Sequence, residues 1–217
     1  MINIIFITKK GVCKQTPISS FKKLSGNRPG IILDKDDEVA TALFSYDGTA
    51  KDIIISTNKG NGIRLPINEI RTYGPITRGL GMITLDEDEY ITNASRIQPK
   101  QNLLFYITSD GKMKLTELKL FPVMKRGESL MQLIKLSQKA TLVGISTVSK
   151  NDHIIIYKQK AEPEEILVEN IPIKSRTSAG LFSSKNLLIH TSILNIIIFP
   201  LSKSVLSTNL IPLILSE

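Results

Sequence analysis

The chain has 217 residues, enough to bury a sizeable core, and its mean hydropathy of +0.04 is that of a folded chain rather than a disordered one. Lys and Arg outnumber Asp and Glu by 28 to 20, and the net charge of +8 points to an anionic partner, nucleic acid before anionic membrane. A single cysteine excludes an internal disulfide and a Cys-based zinc site, and with two histidines a Cys/His metal cluster is not expected.

In chain order, Ile2–Thr8 reads as a strand, Lys9-Lys10-Gly11 as a tight turn, and Val12–Thr16 as the returning strand. The bases follow this first apolar run instead of preceding it, which is not the pattern of a signal peptide. Pro17–Phe21 leads into a basic loop, Lys22–Gly30, followed by a short strand at Ile31–Leu33. Asp34–Glu38 is an acidic turn and Val39–Tyr46 another strand. The order then recurs. Asp52–Thr57 and Gly62–Leu65 are strands around Asn58-Lys59-Gly60, and Pro66–Ile70 precedes the loop Arg71–Gly79. Gly81–Leu85, the acidic turn Asp86–Glu89 and the strand Tyr90–Ile97 complete this unit.

A third round runs from Leu103–Thr108 through Ser109-Asp110-Gly111 and Lys112–Thr116 to Glu117–Phe121 and the loop Pro122–Gly127. Glu128–Gln138 has helix-compatible spacing, yet its counterparts lack it, so Met131–Leu136 is expected as strand and Thr141–Val148 as the last strand of the unit. In a fourth, eroded round His153–Tyr157 keeps the leading strand, and Lys160–Glu165 replaces the glycine turn. Ile166–Ile173 and Leu187–Leu194 are expected strands around Lys174–Gly180. The apolar tail Ile193–Leu215 is broken by Asn195, Pro200, Lys203, Asn209 and Pro212, which argues for closing strands rather than a spanning helix.

Asp52–Gly60 thus reappears 49 positions earlier and 51 positions later, each copy an apolar run ending in Thr-x-x-Gly with a base soon after. A period near 50 residues, with four short strands in each, predicts an all-β array of radially arranged four-stranded sheets. The expected organisation is a single domain over 1–217, with repeats at 1–50, 51–100, 101–150 and 151–195 and closing strands at 196–217. The absence of tryptophan and of a WD dipeptide speaks against a WD40 propeller.

Thr-x-x-Gly with a following base, then Pro-Ile-x-x-apolar, a basic glycine loop and a short strand ending in Leu-Asp resembles the repeat of type IIA topoisomerases. The stretches Ile7–Phe21, Ile55–Arg71 and Tyr73–Leu85 carry this likeness to the C-terminal DNA-wrapping domain of DNA gyrase and topoisomerase IV A subunits. It covers residues 1–148 well and 152–195 poorly. The resemblance implies a β-pinwheel of about four four-stranded blades, the last degenerate, with a strand exchanged between neighbours and double-stranded DNA carried on the outer rim. It also implies a breakage-reunion core as partner, in the same or a separate chain, and a place in the bacterial cytoplasm at the nucleoid. Neither Lys22–Gly30 nor Thr77–Gly81 matches the Gln-Arg-Arg-Gly-Gly-Arg-Gly box of gyrase, which favours a topoisomerase IV-like role. No tyrosine stands in an Arg-Tyr cleavage context, so the resemblance implies an accessory, non-catalytic domain.

Bases recur at comparable places in each repeat. After the turns stand Lys14, Arg64, Lys112 and Lys114; in the loops stand Lys22, Lys23 and Arg28, Arg71 and Arg78, Lys125 and Arg126, and Lys174 and Arg176. Set side by side, the repeats are expected to align these bases into a curved stripe that contacts phosphates of a bent duplex with little base readout. The bland alternative is a set of solvated turns, since lysine also blunts strand edges. The acidic turns Asp34–Glu38 and Asp86–Glu89 lack calcium-loop spacing and read as solvated, and His153 and His190 as structural. No cofactor, metal, membrane or small-molecule substrate is expected. The rival reading is a propeller-type interaction scaffold whose basic loops bind an acidic protein or anionic lipid.

Overall fold

The computed structural model describes residues 2–23, 29–46, 50–158, 163–182 and 193–199. Fifteen strands carry the described chain, joined by short 3-10 turns, and none of the described residues is in an α-helix. The first sheet holds β1 (Ile2–Thr8), β2 (Val12–Pro17) and β3 (Val39–Tyr46). The second unit supplies β4 (Asp52–Thr57), β5 (Asn61–Pro66), β6 (Leu80–Gly81) and β7 (Ile91–Ile97). The third supplies β8 (Leu103–Thr108), β9 (Lys112–Glu117), β10 (Met131–Gln132) and β11 (Leu142–Val148). The fourth supplies β12 (His153–Lys158), β13 (Glu164–Leu167), β14 (Leu181–Phe182) and β15 (Ile193–Phe199).

The sheets are not built from single units. Their orders are β3-β1-β2-β6, β10-β5-β4-β7, β11-β8-β9-β14 and β13-β12-β15, so units two, three and four each hand a short strand to the sheet before. All these ladders are antiparallel, as in Ile7 opposite Cys13 and Val12 opposite Gly81. This is the strand-exchanged β-pinwheel, with three four-stranded sheets and one of three strands among the described residues.

Three cores fill the spaces between successive sheets, because a strand buried on both faces sends alternate side chains to opposite neighbours. Ile5 and Ile7 meet Ile53, Ile55 and Ile63 in the first core; Ile54 turns the other way and meets Leu104, Tyr106 and Ile145 in the next. Leu103, Phe105 and Leu115 face Ile154, Ile156 and Val168 in the third. Cys13 is part of the first core, and burial pushes its thiol up to about 12, so it packs as a small apolar group.

Several expectations shift. Ile31–Leu33 forms no strand, although its equivalents do. Those equivalents pair with the sheet of the preceding unit, and no sheet precedes the first unit among the described residues. Strand Met131–Leu136 shortens to β10, with Leu133 and Ile134 leaving the ladder to fill the core between the second and third sheets. Glu164 and Glu165 lie in β13 rather than in a turn, and β15 completes the fourth sheet instead of following it. The acidic turns are not simply solvated. Asp37 and Glu89 are buried, Asp37 accepting from the Lys10 and Glu38 amides and Glu89 from Thr57 Oγ1 at 2.5 Å and Asn61 Nδ2 at 3.0 Å. A carboxylate satisfied by such donors ties the turn to the hairpin beside it. The expected strand over Leu187–Leu194 lies mostly outside the described residues.

Candidate nucleic-acid interface

Each seam between sheets is crossed by one loop. The second strand of a unit runs into a single 3-10 turn, Ile67–Glu69, Leu118–Leu120 or Val168–Asn170. Its first residue is buried in every case, and the residue after it closes the turn: Ile70 N to Ile67 O at 3.1 Å, Phe121 N to Leu118 O at 3.1 Å, Ile171 N to Val168 O at 3.0 Å. The chain then lies against the preceding unit through Tyr73 N to Gln15 O (2.9 Å), Met124 N to Arg64 O (2.8 Å) and Lys174 N to Leu115 O (2.8 Å). It ends by adding β6, β10 or β14 to that unit's sheet. The loops 71–79, 122–130 and 172–180 therefore occupy equivalent places at successive seams.

The loop bases divide by exposure. Arg71, Arg78, Lys125 and Arg126 are exposed, as is Lys22 at the end of the first unit's 3-10 turn, Ile18–Lys23. Arg78 pairs with Asp34, both side chains more than half exposed, the class of ion pair that contributes little. Lys174 and Arg176 are half-buried, Arg176 donating to the Gln132 carbonyl. Lys112 is also half-buried, 2.8 Å from Asp110 Oδ2 and 5.2 Å over the Phe182 ring. Burial raises the Asp110 carboxyl, but hydrogen bonds from Lys112, Thr108 and Ser137 outweigh it and hold the group below its usual range. Arg28 and the Lys23 side chain lie outside the described residues.

The remaining three bases are not where a surface stripe needs them. Lys14 and Lys114 have no exposed surface. Lys14 Nζ donates to the carbonyls of Gly74 (2.7 Å), Pro75 (2.7 Å) and Thr77 (3.3 Å) and to Thr77 Oγ1 (3.1 Å). Lys114 Nζ donates to the carbonyls of Ser175 (2.9 Å), Arg176 (2.7 Å) and Ser178 (3.0 Å), with Leu133 O at 3.4 Å. Burial lowers both ammonium groups to about 8, and Arg176 adds to the effect at Lys114.

Arg64 is not their counterpart. Lys14 stands opposite Phe6 and Lys114 opposite Tyr106, whereas the residue in that place in unit two is Ile63, opposite Ile55. Arg64 is one residue further along, on the other face of the strand, where unit one has Gln15. Its guanidinium lies 2.6 Å from Asp52 Oδ2 and donates to Phe121 O at 3.0 Å, as Gln15 Nε2 donates to Ile70 O at 2.6 Å. Sequence reasoning took only bases as contacting side chains. It missed Gln15, and it missed the exposed Ile76, Val123 and Ile173, each directly after a proline.

The profile of the family described as DNA gyrase C-terminal domain, beta-propeller, matches residues 3–45, 51–98 and 102–149. The chain belongs to this gyrase C-terminal domain family. The matched stretches coincide with its first three units. The DNA gyrase A subunit of Helicobacter pylori is 31% identical over 183 residues, 82% of this chain but 22% of that relative. That of Ureaplasma parvum is 25% identical over 180 residues, again 82% of this chain, and 21% of the relative. The chain thus spans about a fifth of the length of these curated relatives. Among solved structures, the C-terminal domain of DNA topoisomerase IV superposes with a TM-score of 0.79 at 22% identity, covering 91% of this chain and 61% of that one. The C-terminal domain of DNA gyrase A gives 0.78 at 18% identity, covering 90% and 64%. These two share the gyrase C-terminal fold. The fourth unit, outside the family match, carries Glu164 and Glu165 where the third has Lys114 and Leu115.

Proposed function

We propose that this chain is a non-catalytic domain of a gyrase A or topoisomerase IV A-type subunit that binds and bends double-stranded DNA through phosphate contacts. The observation that carries the reading is the repetition of the seam loop. Strand exchange sets Arg71 and Arg78, then Lys125 and Arg126, then Lys174 and Arg176, on loops of equivalent placement at consecutive seams. Bases spaced by a structural repeat meet a backbone whose charges also repeat, and such contacts position a duplex without reading its sequence. Bending a 20–30 bp site by 40–90° costs on the order of 1–6 kcal/mol, which a few phosphate contacts offset. The weak Asp34 pair leaves Arg78 able to exchange a carboxylate for a phosphate. Membership of the gyrase C-terminal family supports the same reading, with a breakage-reunion core as the partner that receives the DNA segment. The absence of the gyrase box noted above inclines it to the topoisomerase IV type.

Mobility-shift titrations of the purified chain against duplexes of increasing length, at two salt concentrations, test this. Affinity should rise with duplex length and fall steeply with salt. Affinity indifferent to both overturns the reading.

A further inference from the structure

We propose that Lys14 and Lys114 are positioning residues, each locking the seam loop of the following unit onto the preceding sheet. The two sites are copies. Gly74, Pro75 and Thr77 stand in the second unit's loop where Ser175, Arg176 and Ser178 stand in the fourth's, and each trio offers its carbonyls to one buried ammonium. In both loops a hydroxyl closes a small turn, Thr77 Oγ1 to Gly74 O and Ser178 Oγ to Ser175 O, each at 2.9 Å. Carbonyls converging on a point need a donor with several hydrogens, and an ammonium has three.

The middle loop is a natural control. Its lysine place holds Ile63, and among the described residues no ammonium reaches the carbonyls of Lys125 and Arg126. Part of its backbone bonding is shared: Glu128 N to Lys125 O at 3.3 Å matches Ser178 N to Ser175 O at 3.2 Å, and Met124 N matches Tyr73 N and Lys174 N. The bonds from Gln15 N to Arg71 O and from Leu115 N to Pro172 O have no counterpart at Arg64 among the described residues. Exposure follows the lock. Residues 125–129 are all exposed, whereas in the counterpart stretches 74–78 and 175–179 Pro75 and Thr77, and Arg176 and Ser178, are half-buried and the other three of each are exposed. Locked loops would present Arg71, Arg78 and Lys174 from a fixed backbone, and the middle loop would present Lys125 and Arg126 from a looser one. This consequence for DNA rests on the function proposed above; the lock itself does not.

Amide hydrogen exchange at neutral pH reads the lock directly. In the wild-type chain Ser178 should be protected more than Glu128. Lys14→Ile copies a side chain that the fold already accepts at Ile63, and Lys114→Ile does the same in unit three. Each should raise exchange at Tyr73 and Thr77, or at Lys174 and Ser178, by about tenfold, one net hydrogen bond's worth, leaving Met124 unchanged. Unchanged exchange in both variants overturns the lock. For the DNA consequence, K14I should weaken duplex binding in the wild-type background and have no effect once Arg71 and Arg78 are alanine. Additive effects, or loosened loops with full affinity, overturn the positioning role. A wild-type chain that binds no duplex removes the DNA reading, and exchange alone then decides the lock.

Discussion

At the residue scale, the unexpected finding is that two of the bases most regular in sequence are interior groups. Lys14 sits between Cys13 and Gln15, and Lys114 between Met113 and Leu115, in strands buried along their length. The carbonyls around each ammonium compensate only part of the lost hydration, so both pKa values fall from 10.5 to about 8. The sign of the resulting pH dependence is fixed. Between pH 8 and 10.5 the unfolded chain holds more protons than the folded one, and the unfolding free energy gains with rising pH. Below about 8 both states are protonated and the contribution is at its lower plateau. Urea titrations of the wild type and the K14I K114I double variant should therefore show a stability difference that moves in favour of the wild type between those values. A difference that moves the other way contradicts the burial of the ammonium groups.

At the element scale, the Thr-x-x-Gly turn is where the units touch. Gly11 and Gly60 have φ of +82° and +78°, and a Cβ there would stand 2.6 Å from Ile83 O and 2.9 Å from Ile134 O. Both oxygens belong to the unit's neighbour in the exchange, the segments that follow β6 and β10. Replacing either glycine with alanine should cost about 1–3 kcal/mol in urea unfolding, whereas Gly81→Ala, with open space and no positive φ, should be close to neutral. Equal losses at all three positions would contradict this account of the turn.

The elements that sequence made legible are the continuous apolar runs ending in a glycine turn, β1, β4 and β8 above all, because run composition and turn chemistry are local. The fate of a two-residue strand is not local. Ile31–Leu33 and Leu80–Gly81 occupy the same place in the repeat, and only a preceding sheet makes one of them a strand. Parity hid the identity of Arg64. It follows Gly60 by four residues where Lys14 follows Gly11 by three, and that single step turns the side chain to the opposite face. Burial of Asp37 and Glu89 was hidden in the same way, since an acidic turn reads as solvated until the donors that meet it are known.

At the scale of the whole molecule, the array has a direction. Every unit after the first hands a strand and a loop backward, so a base on one unit is positioned by the unit before it. The first unit's 29–33 segment has no recipient sheet among the described residues, and at the other end β13 carries carboxylates where β9 carries Lys114 and Leu115. Between these ends the loops over the first two seams hold the exposed Arg71, Arg78, Lys125 and Arg126 and the third holds the half-buried Lys174 and Arg176, and the function proposed for the chain depends on several of them meeting one duplex together.

The salt dependence of duplex binding by an R71A R78A K125A R126A variant, set beside the wild type, tests that dependence most directly. Each of these bases that sits on a phosphate contributes about 0.9 to the slope of log K against log salt. The account predicts a slope markedly shallower than the wild type's, with the fold intact by urea titration. An unchanged slope would contradict it.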